Sequence, residues 1–358
     1  MPNIYYDITP NWEEYFNYLL ILGGKGIGKS YSAKHKLAKL AYNDINEKFI
    51  YLRRSAEEIR PSVANGYFKD LNIREITDGK ANLVEVRQKE INAYNYNTTN
   101  GSRSKVCTLG YTAALSTETN LSSGVYLDVT SIIFEEFSSR NGYLPDEVSK
   151  LQYFCSTVAR DRKIRVILIG NTISRVSPYF TGWKLDKVPK QKQGTTDIYW
   201  RKDPFAHEIK IGVEYCESRV QSQMFFGDDT DVITTGAWET KRIPPFDFKA
   251  VEDRAPLYLM VITALGFKFL ARYYYSERLA YNIWYISPKT TKIKKGTRII
   301  ANEIDSTNSM QTKGFYPLSE TERVIFNDFC ENRVYFSDPL CAADFKNIYR
   351  ELRQNRYL

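Results

Sequence analysis

The first 215 residues are punctuated by short, mostly apolar runs at 17–22, 49–52, 131–134 and 164–169. Runs of this length read as strands buried on both faces, as in a parallel sheet covered by helices. Between them the apolar positions change period. Ala33, Leu37, Leu40 and Ala41 fall at helical spacing within 31–43, and Val148, Leu151, Phe154, Cys155 and Val158 do so within 144–160. Residues 57–72 read as helix and loop. Residues 73–112 break the alternation: 83–87, 91–96 and 106–110 read as strands around a polar turn at 97–102, a β-insertion or sheet extension. Short strands at 198–200 and 209–213 close this half, followed by a predicted helix over 214–226. Past Ile243-Pro244-Pro245, strands are expected at 257–263, 266–275 and 281–286, with helices over 320–332 and 342–353. The expected organisation is α/β with a mostly parallel sheet over 1–205, a lid or linker over 206–245, and a smaller α+β domain over 246–358.

The first apolar run leads into Gly23-Gly24-Lys25-Gly26-Ile27-Gly28-Lys29-Ser30, a G-x-x-x-x-G-K-S pattern followed at once by the first helical segment. A strand, a glycine loop and a helix in this order form the context a phosphate loop requires. The glycines let backbone N–H groups face phosphate at a helix N-terminus. Lys29 is expected on the β- and γ-phosphates and the Ser30 hydroxyl on Mg²⁺.

About a hundred residues later, Ser131-Ile132-Ile133-Phe134 ends in Glu135-Glu136. A buried strand that delivers two carboxylates to a nucleotide crevice supplies one acid for the metal and one to polarise the attacking water. The metal-binding acid is ordinarily Asp, so Glu135 is a departure. Asn171, at the tip of the run 164–172, suits a γ-phosphate sensor or a turn opener. Arg160 and Arg162 end a predicted helix, where a guanidinium either complements the helix dipole or reaches a neighbouring subunit's phosphates. Arg53 is expected at the nucleotide or an acidic neighbour; Tyr5, Tyr6, Trp12, Tyr15 and Phe16 either lie against the base or pack the sheet edge.

The charge of +8, with 27 tyrosines and 19 phenylalanines, suits a polyanionic partner, most commonly nucleic acid. Candidate phosphate contacts are Arg54, Arg60 and Lys69 in the first half, and Lys268, Arg272, Lys292, Lys294 and Lys295 in the second. Five scattered cysteines and two histidines argue against a disulfide framework and against Cys- or His-based metal sites. No apolar run reaches the roughly 18 residues of a membrane span, and no signal-peptide pattern opens the chain, so the cell interior is expected. The strand ending Val261-Ile262-Thr263-Ala264 lacks the acid that a two-metal, RNase H-like nuclease would need there.

Gly23 to Ser30, 49–54, 131–137, Thr157-Val158-Ala159-Arg160, and Asn171 with Ser177-Pro178-Tyr179-Phe180 together resemble the genome-packaging ATPase (encapsidation protein) of small short-tailed phages, a relative of the large terminases. The resemblance runs through most of 15–182 and continues more loosely to the C-terminus. It implies an ASCE P-loop ATPase (an extra strand and a catalytic glutamate) joined to a vestigial, nuclease-inactive RNase H-like domain. It also implies a homo-oligomeric ring, pentameric by expectation, that drives double-stranded DNA through the portal of a procapsid in the host cytoplasm, with a scaffold RNA in some systems, and that is absent from the mature virion. By position it implies ATP and Mg²⁺ at Lys29 and Ser30, the metal acid at Glu135, the catalytic glutamate at Glu136, the trans finger at Arg160, the sensor at Asn171, and a second loop cation at Lys25. Residues 115–129 lack the lysine some relatives carry there. The rival readings are another P-loop translocase or helicase, a terminase with a live nuclease, and a slow nucleotide switch.

Overall fold

The computed structural model describes residues 5–117, 126–140, 142–203, 205–217, 236–238, 255–277, 279–289, 298–301, 311–313, 328 and 333–354. They form two compact units, one of residues 1–173 with 187–238, the other of 174–186 with 239–358.

The first unit is built on a nine-stranded sheet in the order β3-β4-β5-β2-β6-β7-β1-β9-β8. Its strands are β1 Tyr18–Gly23, β2 Lys48–Arg53, β3 Leu83–Arg87, β4 Glu90–Tyr96, β5 Arg103–Ala114, β6 Val129–Glu135, β7 Arg165–Asn171, β8 Thr195–Lys202 and β9 Glu208–Tyr215. From β5 across to β9 every pairing is parallel, and β3-β4 and β8 flank this core as antiparallel additions. The apolar runs are the parallel strands, buried because helices cover the sheet. On one face Ile21, Tyr51, Ile133 and Ile169, from four of these strands, pack with Ala33 and Leu37 of the helix that follows the glycine loop. Strand β7 lies between β1 and β6, so a strand separates the glycine-loop strand from the acid-bearing one. The expected β-insertion is therefore a sheet extension, with β5 joining the parallel core beside β2.

The α-helices among the described residues are α1 Thr9–Glu13, α2 Lys29–Asn43, α3 Pro61–Ala64, α4 Ile73–Ile76, α5 Glu147–Ala159, α6 Pro178–Gly182 and α7 Pro339–Gln354. The helix predicted from Glu214 is not observed at its start: Glu214 and Tyr215 finish β9, paired to Ile21 and Leu22. The stretch is amphipathic in either period, and the open edge of β1 decides. Its remainder over 218–226 lies outside the described residues, as do 290–297, the Ile243-Pro244-Pro245 hinge and, Asp328 apart, the predicted helix 320–332. The boundary expected at 205 falls within the β8–β9 hairpin.

In the second unit, β10 Tyr258–Ala264, β11 Phe267–Ser276, β12 Tyr281–Pro288, β13 Arg298–Ala301, β14 Gln311–Lys313 and β15 Val334–Phe336 order as β14-β13-β10-β11-β12-β15. The three expected successive strands are β10 to β12, an antiparallel meander. Met260, Ile262, Phe269, Trp284 and Ile286 pack against Cys341, Phe345 and Ile348 of α7, and Val176 joins this core. Arg175 is ion-paired to Asp344 on α7. Residues 174–186 thus belong to the second unit although the chain reaches them directly from β7.

Candidate active site

Strand β1 ends at Gly23 and α2 begins at Lys29, so the glycine motif is the intervening turn and the first helical turn. Gly28 caps α2 at φ 90°, a left-handed conformation that side chains rarely adopt. A Cβ on Gly28 would also sit 3.3 Å from Tyr5. Residues 5–8 hold the loop from outside: Tyr6 N–H donates to Ile27 O at 2.8 Å, and Ile8 N–H to the Ser32 hydroxyl at 2.9 Å. Lys25 is exposed on the loop and Ser30 is half-buried on the first turn of α2.

Lys29 is 6% exposed. Its ammonium donates to Gly23 O (3.1 Å), Gly24 O (2.5 Å) and Asn171 Oδ1 (3.4 Å). The contact with Asn171 follows from topology, since β7 is the neighbour of β1 and Gly23 is in register with Asn171. Burial pulls the Lys29 pKa down to about 8, opposed by Cys216 and Glu135 nearby.

Strand β6 delivers Glu135 and Glu136 at the same end of the sheet. Glu135 Oε2 accepts from the Tyr51 hydroxyl at 2.9 Å and lies 3.7 Å from Arg53 Nη1, while its Oε1 is buried without a hydrogen-bond partner among the described residues. A buried carboxylate oxygen left without a donor suits a cation or its water shell. The longer reach of glutamate at the position usually held by aspartate is therefore compatible with a metal held by Glu135 together with Ser30. Glu136 turns out of the strand at φ 57°. Its side chain is 65% exposed and accepts from Arg53 Nη2 at 2.9 Å. A non-glycine residue at positive φ costs on the order of 1–3 kcal/mol and is characteristic of functional sites.

Arg53 finds acidic neighbours: Glu58, which it binds through Nε (2.9 Å) and Nη2, together with Glu135 and Glu136. Burial disfavours its charge, yet Tyr51, Glu136 and Glu58 raise its pKa above the ordinary arginine value. Arg54 departs from expectation. It was expected to face DNA, but it turns inward, pairing with the fully buried Glu147 carboxylate through Nε (2.7 Å) and Nη2 (2.9 Å) and donating to the carbonyls of Glu136 (3.0 Å) and Phe137 (2.8 Å). A buried glutamate demands a cation, and Arg54 is the one the fold supplies. Arg60 is exposed, 3.9 Å from Glu57.

The two arginines after α5 separate clearly. Arg162 donates to four carbonyls, of Tyr126 (2.6 Å), Leu127 (2.7 Å), Val158 (2.8 Å) and Val129 (2.9 Å). Arg160 is exposed at φ 49° and makes no side-chain hydrogen bond or ion pair among the described residues.

The N-terminal aromatics mostly pack. Trp12 and Tyr15 sandwich the Arg165 guanidinium at 4.1 and 4.6 Å, Phe16 is buried, and Tyr6 OH donates to Glu214 at 2.6 Å; only Tyr5 stands exposed beside the loop. Sequence reasoning missed Tyr51, Glu58 and Glu147. Each reads as an ordinary strand or helix residue, and no local signal marks them.

In the second unit, Lys268 is exposed and Arg272 half-buried on the same face of β11, with Arg272 Nη1 donating to Ser287 at 3.1 Å. Lys292, Lys294 and Lys295 lie outside the described residues. Strands β10, β11 and β12 carry no acid, and Thr263 Oγ1 is buried without a hydrogen-bond partner among the described residues. Asp328 is bonded to Tyr273 and Arg333, and Asp344 to Arg175. Among the described residues no cluster of three His, Cys, Asp or Glu could hold a metal.

A family model described as the podovirus DNA encapsidation protein (Gp16) matches residues 5–232. A comparison with curated proteins gives no match. Among solved structures, the chain is similar to the bacteriophage Phi-29 viral genome packaging motor assembly at 20% identity and TM-score 0.55, over 99% of this chain and 100% of that one. It is also similar to the Phi-28 gp11 DNA packaging motor (16%, TM-score 0.48, 97% and 98%). The N-terminal domain of the DNA packaging ATPase from bacteriophage phi29 matches at 27% identity and TM-score 0.46, over 59% of this chain and 95% of that one. The first of these establishes a shared mixed α/β fold.

Proposed function

This chain belongs to the podovirus DNA encapsidation protein family, and we propose from that premise that it is an ATP-hydrolysing motor moving double-stranded DNA into a procapsid through the portal. The observation that carries the chemistry is the convergence of Lys29, Asn171, Glu135 and Glu136 on one end of the parallel sheet. Lys29 and the loop 23–30 bind the phosphates. Ser30 and Glu135, whose Oε1 has no hydrogen-bond partner among the described residues, would hold Mg²⁺, which would offset phosphate charge. Glu136 orients and deprotonates the attacking water, and Asn171, touching Lys29, senses the γ-phosphate.

Arg160, exposed and without a side-chain partner among the described residues, serves a neighbouring subunit's site, which makes the active form a ring; five subunits are expected from the resemblance. The four carbonyls that Arg162 binds favour Arg160 over Arg162 for that role. Residues 206–215 belong to the β8–β9 hairpin of the core sheet, so the lid and linker role expected of 206–245 falls to the part after Tyr215. The second unit works as a DNA-gripping domain without nuclease activity, supported by acid-free central strands and by Asp328 and Asp344 tied up in ion pairs. Lys268 and Arg272 are its phosphate contacts among the described residues, and Arg60 is one on the first unit. The motor acts in the host cytoplasm at the portal vertex, with a scaffold RNA where the system uses one, and leaves before the virion matures.

Mg²⁺-dependent ATPase assays with and without linear duplex DNA test this reading. DNA-stimulated turnover that supports packaging into procapsids is expected. Turnover indifferent to DNA would favour the nucleotide switch, and divalent-dependent plasmid cutting would favour the live-nuclease terminase.

A further inference from the structure

The strands on either side of β1 end in two hydroxyls with a common target. Thr172, buried directly after Asn171 at the end of β7, has its one hydroxyl proton within reach of Gly236 O (2.8 Å from Oγ1) and Ala237 O (3.0 Å). Tyr215, buried at the end of β9, donates through its hydroxyl to the same Gly236 O at 2.9 Å and receives Gln193 Nε2 at 3.4 Å. Gly236 sits at φ 67°, and a Cβ there would lie 2.7 Å from Gly24 N. The backbone at 236 is therefore pressed against the backbone of the phosphate loop, in a place only glycine fits. Trp238 continues the contact, its ring 5.6 Å from that of Tyr215.

We infer that residues 236–238 form a strap that Thr172 and Tyr215 hold onto Gly24, and that the strap slows nucleotide release from the loop. The carboxyl ends of parallel strands line the ligand crevice, so both donors stand where a loop cover must be anchored. A backbone laid on Gly24 keeps the loop in one shape, and a bound nucleotide leaves only when the strap lifts or the loop deforms. Thr172 and Tyr215 are positioning residues that act through Gly236. Because Thr172 follows Asn171, the strap is one residue away from the group in contact with Lys29. The inference rests on the reading of 23–30 as a nucleotide loop.

Stopped-flow release of mant-ADP from the full-length protein tests it. Thr172→Val keeps the shape and loses the donor; Tyr215→Phe does the same from the other strand. Each is expected to speed release about five- to tenfold, the loss of one net hydrogen bond, while Thr172→Ser stays near the wild-type rate. Gly236→Ala, which cannot approach Gly24, should release at least as fast. Wild-type release rates in Thr172→Val and Tyr215→Phe would overturn the strap, as would a Thr172→Ser variant behaving like Thr172→Val. Should Thr172→Val fail to fold, Tyr215→Phe carries the same decision alone. Failure of the wild-type protein to bind mant-ADP would instead overturn the nucleotide reading of the loop.

Discussion

Arg53 Nη2 stands 2.9 Å from Glu136 Oε2 while Arg53 also binds Glu58 and faces Glu135. One buried guanidinium thus sets the charge balance for three carboxylates, two of them at the centre of the proposed chemistry. Replacing Arg53 with Ala leaves Glu135 and Glu58 without their cation and is expected to cost about 3 kcal/mol of stability. Urea unfolding checks this, and a change under about 1 kcal/mol would show that the arginine is not the fold's counter-ion there.

Glu136 is expected to act on water, so Glu136→Gln should retain ATP binding and slow hydrolysis by about 10²- to 10⁴-fold. Nucleotide binding and single-turnover hydrolysis measured on the same preparation separate the two. Hydrolysis at the wild-type rate would remove Glu136 from the chemical step.

Arg160 and Arg162 should give opposite phenotypes. Arg162→Ala strips a donor from four carbonyls and is expected to lower stability by about 2–3 kcal/mol. Arg160→Ala should melt like the wild type and lose turnover. Mixing Arg160→Ala with Glu136→Gln subunits should recover part of the activity, because some interfaces then pair an intact finger with an intact glutamate. Absence of recovery at every ratio would place Arg160 in a cis or structural role.

The Lys29 amine, drawn down to about 8 by burial, gives a pH signature. Its folded pKa lies below its unfolded value, so the unfolded chain binds more protons between pH 8 and the ordinary lysine pKa. Stability contributed by this group is therefore lowest below pH 8 and rises as pH climbs through that window. Phosphate beside Lys29 favours the charged amine, so ATP binding near pH 8 should take up protons. Calorimetry at pH 8 in two buffers of different ionisation enthalpy measures that uptake; identical apparent enthalpies would mean Lys29 is already fully protonated.

Removing the C-terminal unit is a poor test of its role. Val176 packs in the core that holds Met260, Trp284 and Phe345, and Arg175 pairs with Asp344. Deleting 246–358 should leave an apolar surface and an unpaired arginine, and the product is expected to aggregate in size-exclusion chromatography. Lys268→Ala with Arg272→Ala avoids this. It should weaken DNA binding and lower the salt slope by about one to two contacts without changing the basal ATPase.

The parallel core was legible because its strands are written in short, mostly apolar runs, three of them followed by residues that matter: Gly23 to Ser30 after one, Glu135 and Glu136 after another, Asn171 after a third. Sequence alone determined these, since a phosphate loop and a carboxylate pair are local arrangements with local residue requirements. What tertiary structure decided is which charges are spent inside the fold. Arg54 and Arg162 read like Arg60 and Arg160 in the chain, yet the first pair is committed to Glu147 and to backbone carbonyls while Arg60 and Arg160 remain at the surface. The same holds for residues 174–186, whose membership of the second unit follows from where their apolar side chains are buried. Burial and pairing arise largely from contacts between residues distant in the chain, 93 positions for Arg54 and Glu147, 36 for Arg162 and Tyr126 and 169 for Arg175 and Asp344, and no periodicity along the chain encodes them.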